Sequence, residues 1–401
     1  MIPVDEALTR VIAAATPLGA ETLPLSAARG RVLAAEVRSQ HPLPLFTQSA
    51  VDGYAIRAAD LAHTPCMLPL GTAVAARAQH THPVLAPGMA MRILTGGLLP
   101  LGADTVVRQE HTQHDAARVT ILQPVKTGTD IRHAGEEMPQ GAVLAATSTR
   151  ITPGLIGTLA LGGVHRVPVW RLPRIVVLVS GDEVVREGGA LNQALLLGQV
   201  PDANGPLLQA FLEAWGVPPL RIEPVADTAE AVRTAMARAF ADADLVLTTG
   251  GVSVGDHDYI PSVAESLGAK RILWKVAQKP GMPLYVARRE GVLLFGLPGN
   301  PASVLVNLIV YVRAALDAMQ CLDPGQRWQS LPPAQDIGPR DALKTLWLRA
   351  VQCHDAHGQL TLRKLRGQAS HMLGNLAEAN ALLRLEPTGN ASIPMRWCTL
   401  E

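Results

Sequence analysis

Three apolar runs between residues 175 and 295 end in glycine turns that carry hydroxyls, amides or acids. Ile175 to Val179 runs into Ser180, Gly181, Asp182 and Glu183; Leu245 to Leu247 runs into Thr248, Thr249, Gly250 and Gly251; Val292 to Phe295 runs into Gly296, Leu297, Pro298 and Gly299. A strand that stops at such a turn leaves backbone N–H groups unpaired, which suits anions at the carboxyl ends of a parallel sheet. Asn300 is a good N-cap and Pro301 has the fixed φ of a first helical position, so a helix from Pro301 toward Leu316 turns its positive end to the last of these turns. Ser253 and Gly255 extend the middle turn, and Asp256 and Asp258 follow it. Together they can hold phosphate on the loop and Mg²⁺ on the acids. Asp202 and Asn204 supply a further acid and amide at a helix start. Each turn taken alone is equally an ordinary helix cap after a strand. Three acidic turns at strand ends in one region shift the balance to a metal and phosphate site.

Other candidates are poorer. The turn Lys279, Pro280, Gly281, Met282, Pro283 carries one cation, read either as a solvated lysine or as an anion clamp. His111 with His114, and Cys353 with His357, lack a further ligand at a matching distance for a transition metal. There is no phosphate-binding Walker loop, no dinucleotide glycine fingerprint and no serine nucleophile elbow.

The elements that must position these groups follow from the pattern. Strands alternating with helical stretches between residues 172 and 322 predict an α/β domain with a mostly parallel sheet. One of its helices opens with Asp227 and Glu230 at capping-box spacing and turns Val232, Met236 and Phe240 to the sheet. Ala7, Leu8, Val11, Ile12 and Ala15 predict an amphipathic helix at the start of the chain. Residues 45–140 read as a β-rich domain, with Ala90 to Leu94 and Thr105 to Val107 among its strands. Residues 1–44 and 141–171 form a discontinuous helical and linker domain. After Asp323, Pro324 and Gly325, residues 327–401 read as a small β domain, with strands at Thr345 to Leu348 and Leu360 to Leu362 around a turn at Asp355 to Gly358.

Composition agrees with several packed cores. The 401 residues are 48% hydrophobic and 17% charged, with 35 Lys and Arg against 34 Asp and Glu. That near-neutral balance offers no basic stripe to a nucleic acid or an anionic membrane. The four cysteines, Cys66, Cys321, Cys353 and Cys398, lie far apart and fit a reducing compartment. Acid at the N-terminus and apolar runs shorter than 18 residues argue for a cytoplasmic protein.

In this order the segments resemble the molybdopterin molybdenumtransferase family, the MoeA-type proteins related to the E domain of gephyrin. The marks are Ser49 to Ala55 with Asp52, Gly53 and Tyr54; Thr95 and Gly96 leading to Asp104; Arg132 leading to Glu136 and Glu137; Ser180 to Glu183; Asp202 to Asn204; Thr249 to Gly255; Lys279 to Gly281; Gly296 to Pro301; and Gln368 to Ser370. The resemblance implies a multidomain α/β plus β chain with a molybdopterin-binding α/β domain and a C-terminal β-barrel-like domain. It implies a homodimer whose cleft is shared between subunits. The implied reaction takes adenylylated molybdopterin and molybdate, inserts molybdenum at the dithiolene, and releases AMP with Mg²⁺. A molybdopterin adenylyltransferase and molybdoenzyme apoproteins or their chaperones are the implied partners, with no nucleic acid and no membrane.

Carried over by position, Asp52 and Thr95 resemble the acid and hydroxyl that the second domain brings to the cleft. Glu183, Asp202 and Asp258 resemble the carboxylates that hold Mg²⁺ or orient water. Lys275 and Lys279 resemble the cations for phosphate or molybdate, and Ser370 resembles a molybdate contact from the tail. Gly250, Gly251, Ser253, Gly299 and Asn300 resemble the ligand cradle. Four positions depart from the family pattern: Glu137 for an Asp, Met282 for a lysine, Lys344 for an arginine and Ala369 for a glycine. Three of them fall where molybdate is expected, which weakens an oxyanion site. The competing readings are a weakened or non-catalytic molybdopterin-binding scaffold and a tungsten-handling relative.

Overall fold

The computed structural model describes residues 1–74, 81–186, 195–252, 258–331, 340–387 and 395–400. The chain divides into two compact units, Glu21–Val169 on one side and Met1–Ala20 with Trp170–Glu401 on the other.

The first unit is built from short antiparallel strands. Gly53–Ile56 lies between Met91–Ile93 and Thr105–Arg108. A second three-stranded sheet joins Cys66–Pro69, Arg118–Ile121 and Thr112–His114. Period-two alternation sends Tyr54 and Ile56 to one core and Ala55 to another, where it meets Ile93 and Val106. Gly53 is dictated by packing, because a Cβ there would sit 2.0 Å from the Val107 carbonyl oxygen. The strand can therefore press against its neighbour with Asp52 at its entrance. A helix at Pro153–Leu161 is capped by Thr152, whose hydroxyl accepts from the Leu155 N–H, and starts with Pro153.

The second unit centres on a six-stranded sheet in the order Arg221–Val225, Ile175–Ser180, Leu245–Thr249, Val292–Leu297, Tyr285–Arg289, Lys270–Trp274. The first three ladders are parallel and the last two antiparallel, so the sheet is mixed, with its antiparallel part at one edge. Ile175–Ser180, Leu245–Thr249 and Val292–Leu297 read as apolar runs because both faces are covered: Ile175, Val177 and Val179 face one core, Val176 and Leu178 the other. Helices at Asn204–Ala214, Ala229–Asp242, Tyr259–Ser266 and Pro301–Met319 supply the cover. The helix of residues 229–242 turns Val232, Met236 and Phe240 inward, as the spacing predicts. Its cap is a correction, since Thr228 accepts the Ala231 N–H and Asp227 lies outside the helix. The N-terminal helix runs Val4–Ala14 and buries Val4, Ala7 and Val11.

Pro301–Met319 is long and apolar enough to span a bilayer by composition, but it is a core helix in the second unit, with 89% of its apolar window buried. It is α-helical over Pro301–Asn307, holds a π turn at Leu308–Val312, and returns to α-helix at Arg313–Met319. The tail strands Gln278–Lys279, Thr345–His354, Ala381–Leu385, Met395–Thr399 and Gln329–Leu331 form one path, with Leu360–Lys364 paired beside it. Among the described residues no ladder joins the two end strands of that path.

Candidate functional site

Beyond the carboxyl ends of the parallel strands lies a cavity of about 680 Å³. Ser180, Gly181 and Glu183 reach it from the first strand's turn, Gly250 and Gly251 from the second, and Gly299, Asn300 and Pro301 from the third. Asp202, Asn204, Asp227, Asp258 and His371 complete its polar wall. The sheet thus gathers seven of the residues singled out from the sequence, Glu183, Asp202, Gly250, Gly251, Asp258, Gly299 and Asn300, around one space. Ser253 lies outside the described residues, as do Gly255 and Asp256.

The acids differ in how they are used. Asp202 Oδ1 accepts the Gly205 N–H at 2.9 Å, and Oδ2 accepts Arg186 Nε at 3.0 Å. Its side chain is 4% exposed, so it serves as a helix-start cap and an ion-pair partner. Asp258 stands at the N-cap of Tyr259–Ser266 without capping it through a side-chain hydrogen bond. Asp182 and Asp227 exchange bonds, each backbone N–H donating to the other's carboxylate at 3.2 and 3.1 Å. That exchange joins the first acidic turn to the loop before the helix Ala229–Asp242.

Amides close the cradle. Asn204 Nδ2 donates to the Gly299 carbonyl at 2.8 Å, while its buried Oδ1 accepts no hydrogen bond among the described residues. Asn300 occupies the N-cap before Pro301, but its side chain makes no capping bond and donates instead to Ser370 Oγ at 3.3 Å. Ser370 therefore sits beside the cavity rim rather than among its lining residues, and its neighbour His371 enters the lining. The loop that carries both is held from below. Arg349, 2% exposed, donates to the carbonyls of Gly367, Ala369 and Met372, and Gln368 bonds back to Arg349 and Leu365. Burial lowers the Arg349 pKa from its ordinary value.

Lys275 and Lys279 are placed elsewhere. Lys275 follows the strand Lys270–Trp274 and sets its ammonium 5.0 Å over the Trp274 ring. Trp274 in turn donates its indole N–H to the Val252 carbonyl at 3.1 Å, which pins the end of the Gly250 turn. Lys279 is exposed on the short strand Gln278–Lys279. Neither lysine lines the cavity.

In the other unit, Asp52 and Thr95 are brought together although 43 residues apart: Asp52 Oδ1 accepts both the Thr95 backbone N–H at 2.7 Å and the Thr95 hydroxyl at 2.8 Å. Those two bonds, aided by the Arg92 charge, hold the Asp52 carboxyl below the usual carboxylate range. Arg92 stacks 5.0 Å over the Tyr54 ring and donates to Gln109 at 2.6 Å.

Two cavity residues escape a reading of the sequence. Asp227 looks like a helix cap by spacing, and His371 stands in a polar stretch without period; its only signal is adjacency to Ser370. Among the described residues no three or more His, Cys, Asp or Glu side chains form a ready metal cluster.

Comparison with known proteins agrees along the chain. Residues 2–163 match the MoeA N-terminal region (domain I and II), residues 176–318 a probable molybdopterin binding domain, and residues 340–392 the MoeA C-terminal region (domain IV). A protein of Nostoc sp. named molybdopterin molybdenumtransferase is 35% identical over 384 residues, covering 93% of this chain and 86% of that protein. One of the same name from Bacillus subtilis is 32% identical over 393 residues, covering 96% and 90%. The crystal structure of the molybdopterin biosynthesis MoeA protein from Pyrococcus horikoshii OT3 shares the fold at TM-score 0.81 with 24% identity, over 100% of each chain. With three successive domains matched in order and relatives alike over nearly their whole length, the chain belongs to the molybdopterin molybdenumtransferase family.

Proposed function

We propose that the protein inserts molybdenum from molybdate into adenylylated molybdopterin and releases AMP. The observation that carries this reading is the cavity at the strand ends, where glycine turns, a helix N-terminus and carboxylates converge. The backbone N–H groups around Gly250 and Gly299 and the start of the Pro301 helix bind phosphate oxygens. Asn204 and Asn300 set the width of the cradle through their bonds to Gly299 and Ser370. Glu183 or Asp258 orients the water that attacks the adenylyl phosphorus and takes its proton.

Mg²⁺ fits this donor set. The carboxylates and Asn204 Oδ1, which has no hydrogen-bond partner among the described residues, are hard oxygen donors, and an ion that binds one or two carboxylates plus substrate phosphates needs no preformed cage. Glu183 and Asp258 would hold it, since both oxygens of Asp202 are engaged by Arg186 and Gly205. Bound there it would neutralise charge on the anhydride.

Lys279, Lys344 and Ser370 are the residues we assign to molybdate. A homodimer is the proposed assembly, with Asp52 and Thr95 of one chain acting on substrate held by the partner. The cytoplasm is the proposed compartment, consistent with four free thiols. The test is product analysis with adenylylated molybdopterin and molybdate or tungstate, with and without Mg²⁺. Release of AMP together with metal-loaded cofactor supports the reading. Binding of the adenylate without turnover under any of these conditions sinks it. Mixing Asp52→Ala and Asp258→Ala chains tests the shared site, since recovered activity requires both acids to serve one substrate.

A further inference from the structure

A buried polar cluster lies outside the cavity, between the helix Pro301–Met319, the turn after Gln278 and the tail sheet. Gln278, Asn307 and Tyr311 are fully buried and Trp347 is 1% exposed. Every valence of the Gln278 amide is used. Its Nε2 donates to the Gly281 carbonyl at 2.8 Å and to Asn307 Oδ1 at 2.8 Å. Its Oε1 accepts from the Tyr311 hydroxyl at 2.7 Å and from the Trp347 indole at 2.9 Å. Asn307 Nδ2 adds a second bond to the Gly281 carbonyl at 3.2 Å. Asn307 and Tyr311 are four apart, on one face of the helix, with the π turn starting directly after Asn307.

This cluster clasps one turn. Gly281 has φ +89°, and a Cβ on it would lie 3.1 Å from the Asn307 amide and from Gln278 Nε2. The turn is therefore pressed directly onto the two side-chain amides. Its far side is tied by Met282, whose carbonyl accepts from the N–H groups of Val276 and Leu284, each at 2.9 Å. Neighbouring residues of a strand point to opposite faces, so an inward Gln278 fixed by four bonds forces Lys279 outward. Lys279 is indeed exposed, and its strand pairs in parallel with Leu346, two residues from Lys344. The Asp341 carboxyl is held low by the N–H groups of Leu343 and Lys344 and by the charges of both Lys344 and Lys279, so both cations lie within reach of one carboxylate.

We propose that Gln278, acting with Asn307, Tyr311 and Trp347, is a positioning residue of the transfer reaction: it fixes the Lys279 to Met282 turn so that Lys279 meets the oxyanion substrate beside Lys344. This rests on the molybdenumtransferase reading and names the part of the chain that orients its oxyanion half. Met282 is uncharged, so Lys279 is the one cation that the turn itself carries, and its aim decides what the turn offers an anion. A fully bonded amide network in a low-dielectric interior gives a single geometry where an apolar filler would give several.

The experiment measures half-saturating molybdate and half-saturating adenylylated molybdopterin for the parent, Gln278→Leu, Tyr311→Phe, Lys279→Ala and the Gln278→Leu, Lys279→Ala double variant. Gln278→Leu is expected to raise half-saturating molybdate about tenfold and to leave the nucleotide value within about twofold. Tyr311→Phe, which removes one of the two bonds to Oε1, is expected to raise it about threefold and carries the test if Gln278→Leu does not fold. On the Lys279→Ala background Gln278→Leu should add nothing, because its effect runs through that lysine. Full additivity there, or an equal rise for both substrates, or a lowered melting temperature with unchanged molybdate saturation, overturns the proposal while the parent remains active. A parent that releases no AMP and loads no metal overturns the functional reading, and this inference with it.

Discussion

Asp52 holds Thr95 through a single carboxylate oxygen: Oδ1 takes both the backbone N–H and the hydroxyl of Thr95, and Oδ2 accepts no hydrogen bond among the described residues. One oxygen is thus spent on holding the turn, on a residue that is exposed. The bonds favour the ionised form, so the carboxyl titrates below its ordinary value of 3.8. Because the folded pKa is depressed, the stabilisation of this turn is present above that ordinary value and is lost as pH falls through the lower, folded one. Thr95→Val keeps the shape and the N–H bond but deletes the hydroxyl. The Asp52 pKa should rise toward its ordinary value in an NMR titration, and kcat should fall by about threefold to tenfold. An unmoved titration would mean that the backbone bond alone sets the acid.

Glu183 and Asp258 are the carboxylates of the cavity wall assigned to metal and water. Glu183→Gln and Asp258→Asn should each lower AMP release about a hundredfold or more, with part of the loss recovered at high Mg²⁺. Asp202→Asn should instead show as lost stability, since it weakens the pair with Arg186. Parent-like turnover by both of the first two variants at limiting Mg²⁺ would remove them from the mechanism.

Met282 sits in the clasped turn, half-buried, at a position where the family resemblance implies a lysine. Met282→Lys adds a cation close to a dianion and should tighten molybdate binding by about threefold to tenfold after lysine ordering is subtracted. Adenylate binding should stay within about twofold, because the glycine turns hold that end. Calorimetric titration of both ligands checks this, and weaker molybdate binding would place Met282 outside the oxyanion shell.

At the opposite end of the sheet Asp244 receives Arg171 Nη1 and Nη2 at 2.7 and 2.8 Å and the Arg174 backbone N–H at 2.9 Å. Burial pushes its pKa up, but Arg171 and Arg174 outweigh burial and hold it far below the carboxylate range. Asp244→Asn should cost about 1–3 kcal/mol, discounted because both arginines are partly in water. The sign of the pH effect is that of a depressed acid. The gap between parent and variant should be full above about pH 5 and shrink as pH falls below about 4, toward the folded pKa. Thermal melts from acid to neutral pH check it; a gap that widens in acid would contradict the ion pair.

Much of this architecture was legible because it is written in local patterns. Apolar runs ending in Gly181, Gly250 and Gly299 located strand ends, and in a sheet buried on both faces strand ends are where ligands collect. Asn300 and Pro301 marked a helix start for the same local reason. The mixed edge of the sheet was not legible, since Tyr285–Arg289 has the same residue types whether its neighbours run with it or against it. Nor were the partners of the acids. Asp202 and Asp258 look alike in sequence, and nothing local marks Arg186 as the partner of Asp202. Lys275 reads as an anion ligand until the fold sets it over Trp274, a contact between neighbours that depends on a positive φ of 68° at the lysine. The Gln278 cluster is spread over three segments, and only Asn307 and Tyr311, four apart on one helix, share a spacing that the sequence could show.

The Arg349 guanidinium lies under the Ser370 and His371 loop, bonded to three carbonyls of that loop. Among the described residues no carboxylate pairs with it, and an arginine keeps its proton even when burial lowers its pKa. The loop therefore rests on a buried cation that no carboxylate among the described residues neutralises and that water screens weakly. Its charge is fixed from beneath the loop, so this support does not switch off over the pH range in which the fold survives.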